Sequence, residues 1–204
     1  MDVTDPTSNV PDEQHAPQRR RTPPEHILAR VVTGIVLAAV LFVAVFAWRV
    51  VYRPHLDQMP EEQVDALLVL GPLNPWRIEM AEDLMRQGKA KNLVLSTPNM
   101  PWDAMYCDEK HDWPAYCFPP NPSTTRGEAI GLRDLAELHG WKSFAVLTVD
   151  FHAARSRFIF ERCLGQPVPV VGRNISEWDH QRPYQVAYQL GGYLKEIKLG
   201  RCPA

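Results

Sequence analysis

Apolar and polar positions along this 204-residue chain fall into two regimes. From Val31 to Trp48, between Arg30 and Arg49, no residue is charged, and an apolar helix of that length nearly matches the hydrocarbon thickness of a bilayer. Such a helix satisfies its backbone groups internally, as lipid requires. A soluble domain of this size has too little interior to hide a helix that is apolar all round. The pattern predicts a transmembrane helix over 27–52, with residues 31–48 in contact with lipid. From residue 64 the pattern changes to short apolar runs alternating with helical periodicity, the mark of a parallel sheet covered by helices.

The first run, 65–70, ends at Gly71, where Asn74 offers an N-cap and Pro75 a first helical residue. Ile78, Ala81, Leu84 and Met85 then share one helical face, and Gly88 closes that helix. A second strand is expected over 92–96. Thr125 with Glu128 three residues later has the form of a capping box, opening a helix that ends before Gly140. A third strand follows over 143–149, a helix over 153–164 closed by Gly165, a fourth strand over 168–171 and a last helix over 184–198. The expected fold is α/β: a Rossmann-like three-layer domain with a mainly parallel sheet over 64–204, preceded by one transmembrane helix. The segment 98–122 reads as a long insertion loop carrying Trp102, Tyr106, Trp113, Tyr116 and Phe118. Those rings suit either a self-packed mini-core or a lid over the strand ends.

Composition refines the boundaries. Residues 1–26 hold almost no large apolar side chains and cannot bury enough surface to order themselves, so they read as a disordered cytoplasmic tail. Residues 53–63 read as a polar linker. Arg19, Arg20, Arg21 and Arg30 precede the apolar run and only Arg49 and Arg53 follow it closely. This bias keeps the N-terminus cytoplasmic and sends the C-terminal domain outward across the plasma (inner) membrane. A cleavable signal peptide, with Val45-Phe46-Ala47 before the cut, is the competing reading, although the apolar run is longer than the usual signal core. All four cysteines, Cys107, Cys117, Cys163 and Cys202, lie beyond the run, as an oxidising compartment allows. Three pairings are open. Cys107 with Cys117 and Cys163 with Cys202 are preferred, and a zinc site through Cys107, His111 and Cys117 lacks the paired C-x-x-C spacing of structural sites. A formal net charge of −2 argues against a nucleic-acid partner, which demands a basic face.

Open parallel sheets bind ligands beyond the carboxyl ends of their strands. That rule gathers Asn74 and Arg77 after the first strand, Ser96 and Thr97 after the second, Thr124, Thr125, Arg126 and Glu128 at a helix start, and Asp150, His152 and Arg155 after the third. Helix N-termini supply N–H donors and a positive dipole end, and Arg77 and Arg155 can each hold a phosphate or carboxylate in bidentate fashion. His152 is the group able to trade protons near neutral pH, and with Asp150 it forms the candidate catalytic pair. Plainer roles compete: His152 as a loop residue, Arg77 and Arg155 paired with acids of their own helices, Asp150 as a cap, Glu128 as half of a capping box and Asp65 as a strand boundary. Asp150 and His152 alone fall short of a metal-ligand set, so no metal site is expected.

Asp65-Ala-Leu-Leu-Val-Leu-Gly71, Arg77 and Ala81 before Gly88, Thr125-Arg-Gly-Glu-Ala129, and Leu147-Thr-Val-Asp-Phe-His152 with Arg155 resemble the YdcF-like and SanA-like family over nearly the whole domain. The family's Thr-x-x-x-His-x-x-Arg stretch survives as Thr148, His152 and Arg155. Its Leu-Gly-Gly keeps Gly71 but has Pro72 for the second glycine. Its Asn-Thr-x-Glu-Asn stretch is altered to Thr124-Thr125-Arg126-Gly127-Glu128. The resemblance implies an anchored extracytoplasmic domain of the bacterial envelope with ligand-binding positions at Gly71, Asn74, Arg77, Ser96, Thr124, Thr125, Glu128 and Arg155. S-adenosylmethionine is associated with the soluble branch, but an outward-facing domain rarely meets it, so the cofactor stays unknown. Two functions are expected: binding or processing of an anionic, phosphate-bearing small molecule or envelope precursor, or a non-catalytic envelope-integrity factor acting through protein contacts.

Overall fold

The computed structural model of the chain describes residues 24–97 and 101–203. The predicted tail therefore lies, up to residue 23, outside the described residues. Two compact units emerge, Met1–Leu41 and Phe42–Ala204. Helix α1 (Pro24–Phe46) fills the described part of the first and ends in the second. The span His26–Tyr52 has a mean hydropathy of 2.7 over its most apolar window, none of it buried inside the protein. It is long and apolar enough to cross a membrane.

The second unit starts with the end of that helix, which widens into π-helical turns over Ala47–Tyr52 and buries Val51 completely. Residues 53–63 are more than a linker. Asp57 accepts from Val170 N at 2.8 Å and from Arg157 Nη2 at 2.6 Å, and its own N–H donates to Val170 O, so this segment is strapped to a sheet strand.

Five parallel strands follow in the order β3-β2-β1-β4-β5: β1 (Val64–Val69), β2 (Ala90–Ser96), β3 (Ala115–Phe118), β4 (Phe144–Val149) and β5 (Val170–Arg173). Alternate side chains of β1 serve two cores. Ala66 and Leu68 pack with Leu132, Ala136, Ile159 and Phe160 from α4 (Thr125–His139) and α5 (Asp150–Leu164). Leu67 and Val69 pack on the other face with Ala81 and Met85 from α2 (Pro75–Arg86). Burial of each large apolar side chain stabilises by about 1.5–3 kcal/mol, which makes β1 and β4, buried almost throughout, the least replaceable strands. Helix α6 (Arg182–Leu199) packs outside α5 and against the π-helical turns.

Within the segment 98–122, described from residue 101 on, the structure has a helix and a strand where the sequence pattern predicts a loop. Helix α3 (Pro101–Asp108) leads into edge strand β3, and Cys107 is joined to Cys117 across them. Both thiols being spent on each other, the zinc alternative falls. The second disulfide joins Cys163 on α5 to Cys202 beyond α6. Tyr106 and Trp113 pack into the α2-side core, and Tyr116 and Phe118 against the other. These rings thus extend the domain's two main cores and do not make a separate mini-core, and among the described residues none of them covers the strand ends as a lid; the Trp102 side chain lies outside the described residues. Gly131 makes room for Phe118, whose ring lies 2.1 Å from where a Cβ would stand.

Candidate functional site

Strands β1 and β4 are neighbours, but the chain leaves β1 toward β2 and β4 toward β5 on the opposite side. This divergence opens a crevice beyond their carboxyl ends, the usual ligand position in such sheets. A cavity of about 550 Å³ lies there, lined by Gly71 and Pro72 after β1, Thr124, Thr125 and Glu128 from the start of α4, His152 and Arg155 from α5, and a stretch of α6.

The start of α4 is set one residue earlier than the capping-box reading expects. Thr124 is the N-cap, its hydroxyl accepting from Gly127 N at 3.3 Å. Thr125 is thereby freed, and its Oγ1 meets His152 Nε2 at 3.3 Å. Glu128 does not reach back to the cap: its Oε1 accepts from Gly71 N at 2.8 Å, fixing the loop after β1. Burial raises the Glu128 pKa, while the Gly71 N–H, the Ser96 hydroxyl and the guanidinium groups of Arg77 and Arg155 oppose the rise. Ser96 Oγ is buried without a well-formed hydrogen bond.

His152 sits between Thr125 and Arg155. Arg155 Nη2 lies 3.1 Å from His152 Nδ1. A guanidinium only donates, so Nδ1 accepts and the ring proton resides on Nε2, pointing at Thr125. Burial, reinforced by Arg155 and Arg77, holds the imidazole well below its ordinary value of 6.5. His152 is thus a neutral hydrogen-bond donor, not the readily titrating acid–base group expected from its residue type. Arg155 Nε donates to Gln189 Oε1 at 2.7 Å, and its guanidinium lies over the Tyr188 ring. Its Nη1 makes no hydrogen bond to any described residue. Gly192 permits this placement, since a Cβ there would stand 2.7 Å from Arg155 Cδ.

Four expected site residues lie elsewhere, and Ser96 is the first, fully buried and not part of the cavity lining. Arg77 is turned into the protein, Nη1 donating to Leu70 O at 2.6 Å and Pro72 O at 3.0 Å, with burial lowering its pKa to about 10. It braces the β1 loop from behind and does not line the cavity, which corrects its reading as an anion clamp. Asn74 caps α2 as expected, accepting from Arg77 N at 3.2 Å, and likewise lies off the cavity. Asp150 is buried in an ion pair with Arg182 at 2.9 Å, away from the cavity. It is neither a cap nor placed to act on a ligand; Val149 is the N-cap and has no side-chain bond.

The wall on α6, with Tyr188, Gly191, Gly192, Lys195 and Glu196, has no counterpart in the motif reading. The one signal was the Gly191–Gly192 pair inside a helical pattern, which calls for a packing reason. Glu196 is paired at 2.8 Å with buried Arg126, whose guanidinium also reaches Gly200 O and Arg201 O. Arg126 thus ties the end of α6 to the start of α4. Lys195 is left exposed at the rim. The fold and site together define an α/β domain with a single polar cleft at its sheet switch point, among the described residues, following an apolar helix. Comparison with protein-family models, with curated proteins and with solved structures finds no match.

Proposed function

We propose that this chain is a membrane-anchored, extracytoplasmic domain of the YdcF-like and SanA-like kind, and that its cleft binds or processes an anionic, phosphate-bearing small molecule or envelope precursor. The observation that carries this reading is the Arg155–His152–Thr125 chain inside the cavity. Arg155 offers an uncommitted Nη1, His152 a neutral N–H, and α4 the N–H groups of Thr125 and Arg126, which make no hydrogen bond to another described residue. An oxyanion entering there takes the place Thr125 Oγ1 now holds on His152 Nε2, while Lys195 supplies a second positive charge. If a reaction follows, His152 acts as a fixed donor stabilising developing negative charge, the role open to an imidazole that stays neutral. The arginine bias before the apolar helix and the two disulfides support the outward orientation at the inner membrane.

Binding of inorganic phosphate and of glycerol phosphate to the full chain in detergent micelles tests this. Arg155→Gln is expected to weaken binding at least about tenfold, the loss of one charge-assisted bond, with little change in melting temperature. Unchanged affinity sinks the reading. The second reading, an envelope-integrity factor acting through protein contacts, is favoured by the commitment of Arg77, Arg126 and Asp150 to internal bonds. It predicts that a His152→Gln/Arg155→Gln variant still complements a deletion strain.

A further inference from the structure

Helix α6 carries apolar residues that the domain does not cover. Leu194 and Ile197 are each 60 % exposed, Leu199 is 51 % exposed, and Tyr184 and Tyr188 are also open, interspersed with Lys195 and Lys198. Two contacts fix this helix against the end of the apolar span. At its start, Arg182 Nη1 donates to Val51 O. In its middle, the Tyr193 ring meets the Phe46 ring edge-on, with centroids 5.8 Å apart. Contact with Val51 precedes contact with Phe46 along α6, so the helix runs antiparallel to the segment Phe46–Val51. The residues past Tyr193 therefore advance toward the level of the exposed Phe42 and Val45, where the bilayer lies if the span crosses it.

We propose that the flank of α6 that carries Leu194 and Ile197, next to Tyr193, lies in the interfacial layer of the bilayer that the apolar helix spans. The pattern suits that layer. Leu194 and Ile197 enter the acyl boundary, and Lys198, one turn from Leu194, extends its ammonium group to headgroup phosphates. This inference rests on the anchoring reading, but not on the nature of the ligand.

Site-directed spin labelling of the full chain in phosphatidylcholine–phosphatidylglycerol nanodiscs tests it, by comparing collision with oxygen, which concentrates in lipid, and with a water-soluble nickel chelate. Labels are placed singly through Leu194→Cys, Ile197→Cys, Leu138→Cys on the exposed face of α4, and Val36→Cys in the span. The Leu194 and Ile197 positions are expected to show an oxygen-to-nickel ratio several-fold above that of Leu138 and below that of Val36. If Val36 reads as lipid while Leu194 and Ile197 match Leu138, α6 stands in water and this inference alone is overturned. Labels on α6 shielded from both reagents, or coupled to each other between chains, mean that protein covers the face, and also overturn it. An aqueous Val36 removes the anchoring reading and this inference together.

Discussion

The His152 ring owes its state to two neighbours with fixed roles, Arg155 as donor and Thr125 as the group facing Nε2. Nitrogen-15 NMR of the imidazole should therefore show a neutral Nε2–H tautomer with no titration midpoint at or above 6.5. A midpoint at 6.5 or above contradicts this reading of the site. Stability carries the same signature. Because the folded value is depressed, the unfolded chain takes up a proton first as pH drops below 6.5, so the stability due to neutral His152 is present above that pH and declines below it. Asp65 offers a contrast at the far end of β1. Its carboxylate accepts from Lys91 Nζ at 2.8 Å, Lys142 N at 2.8 Å and Ser143 N at 3.1 Å, and these bonds, Lys91 first, hold its pKa far below the ordinary 3.8. What reads as a strand boundary is the clasp between β1 and the turn before β4. Asp65→Asn should cost about 1–3 kcal/mol at pH 7 in urea unfolding, the scale of hydrogen bonds to a charged group. The gap from the parent should narrow as pH falls below 3.8, where the unfolded carboxyl is protonated.

Among the elements, the start of α4 and the middle of α6 shape the cleft, and their glycines separate close approach from mere tolerance. A Cβ on Gly127 would stand 1.9 Å from Pro122 O, whereas one on Gly191 meets nothing within 4 Å. Gly127→Ala should destabilise by about 2 kcal/mol or more through forced backbone shifts. Gly191→Ala should stabilise by about 0.5–1 kcal/mol through helix propensity. Gly192→Ala falls between them: it pushes the flexible Arg155 side chain off Gln189 and should weaken phosphate binding while leaving the melting temperature within a few degrees. Calorimetry beside a binding titration checks all three. Sequence pattern revealed β1, β2 and β4 because each is a continuous apolar run. It hid β3, because Ala115–Phe118 is only half-buried at the sheet edge and set among prolines. It placed the α4 cap on the wrong one of two adjacent threonines, since no local rule anticipates that Glu128 finds its partner at Gly71, 57 residues away. The α6 wall stayed unread for the same reason: tertiary packing alone brings Tyr188 and Gly192 to Arg155.

The unit from Phe42 onward is joined by one buried arginine. Arg182 is 4 % exposed and reaches Val51 O at the end of the π-helical turns, Asp150 Oδ2 at the end of β4, Asn174 Oδ1 after β5 and Asp179 Oδ1 before α6. It occupies a terminal carbonyl of the π-helical turns and neutralises a carboxylate that is 1 % exposed. Removing the guanidinium leaves that carboxylate charged, buried and alone. Breaking a buried pair from one side costs about 3–5 kcal/mol, most of it the stranded partner. Arg182→Met should therefore lower the unfolding midpoint steeply, while Asp150→Asn added to it should recover part of the loss by removing the stranded charge. A double variant as unstable as the sum of its singles would locate the cost elsewhere. The backbone amides of the π-helical turns, Ala47–Tyr52, should lose hydrogen-exchange protection in Arg182→Met while those of β1 and β2 keep theirs, because the arginine binds the end of the apolar helix to the start of α5 and the start of α6. Two residues past Asp150 stands His152, so the bond network that ties the π-helical turns to the start of α6 also sets the first turn of the helix from which His152 and Arg155 enter the cleft.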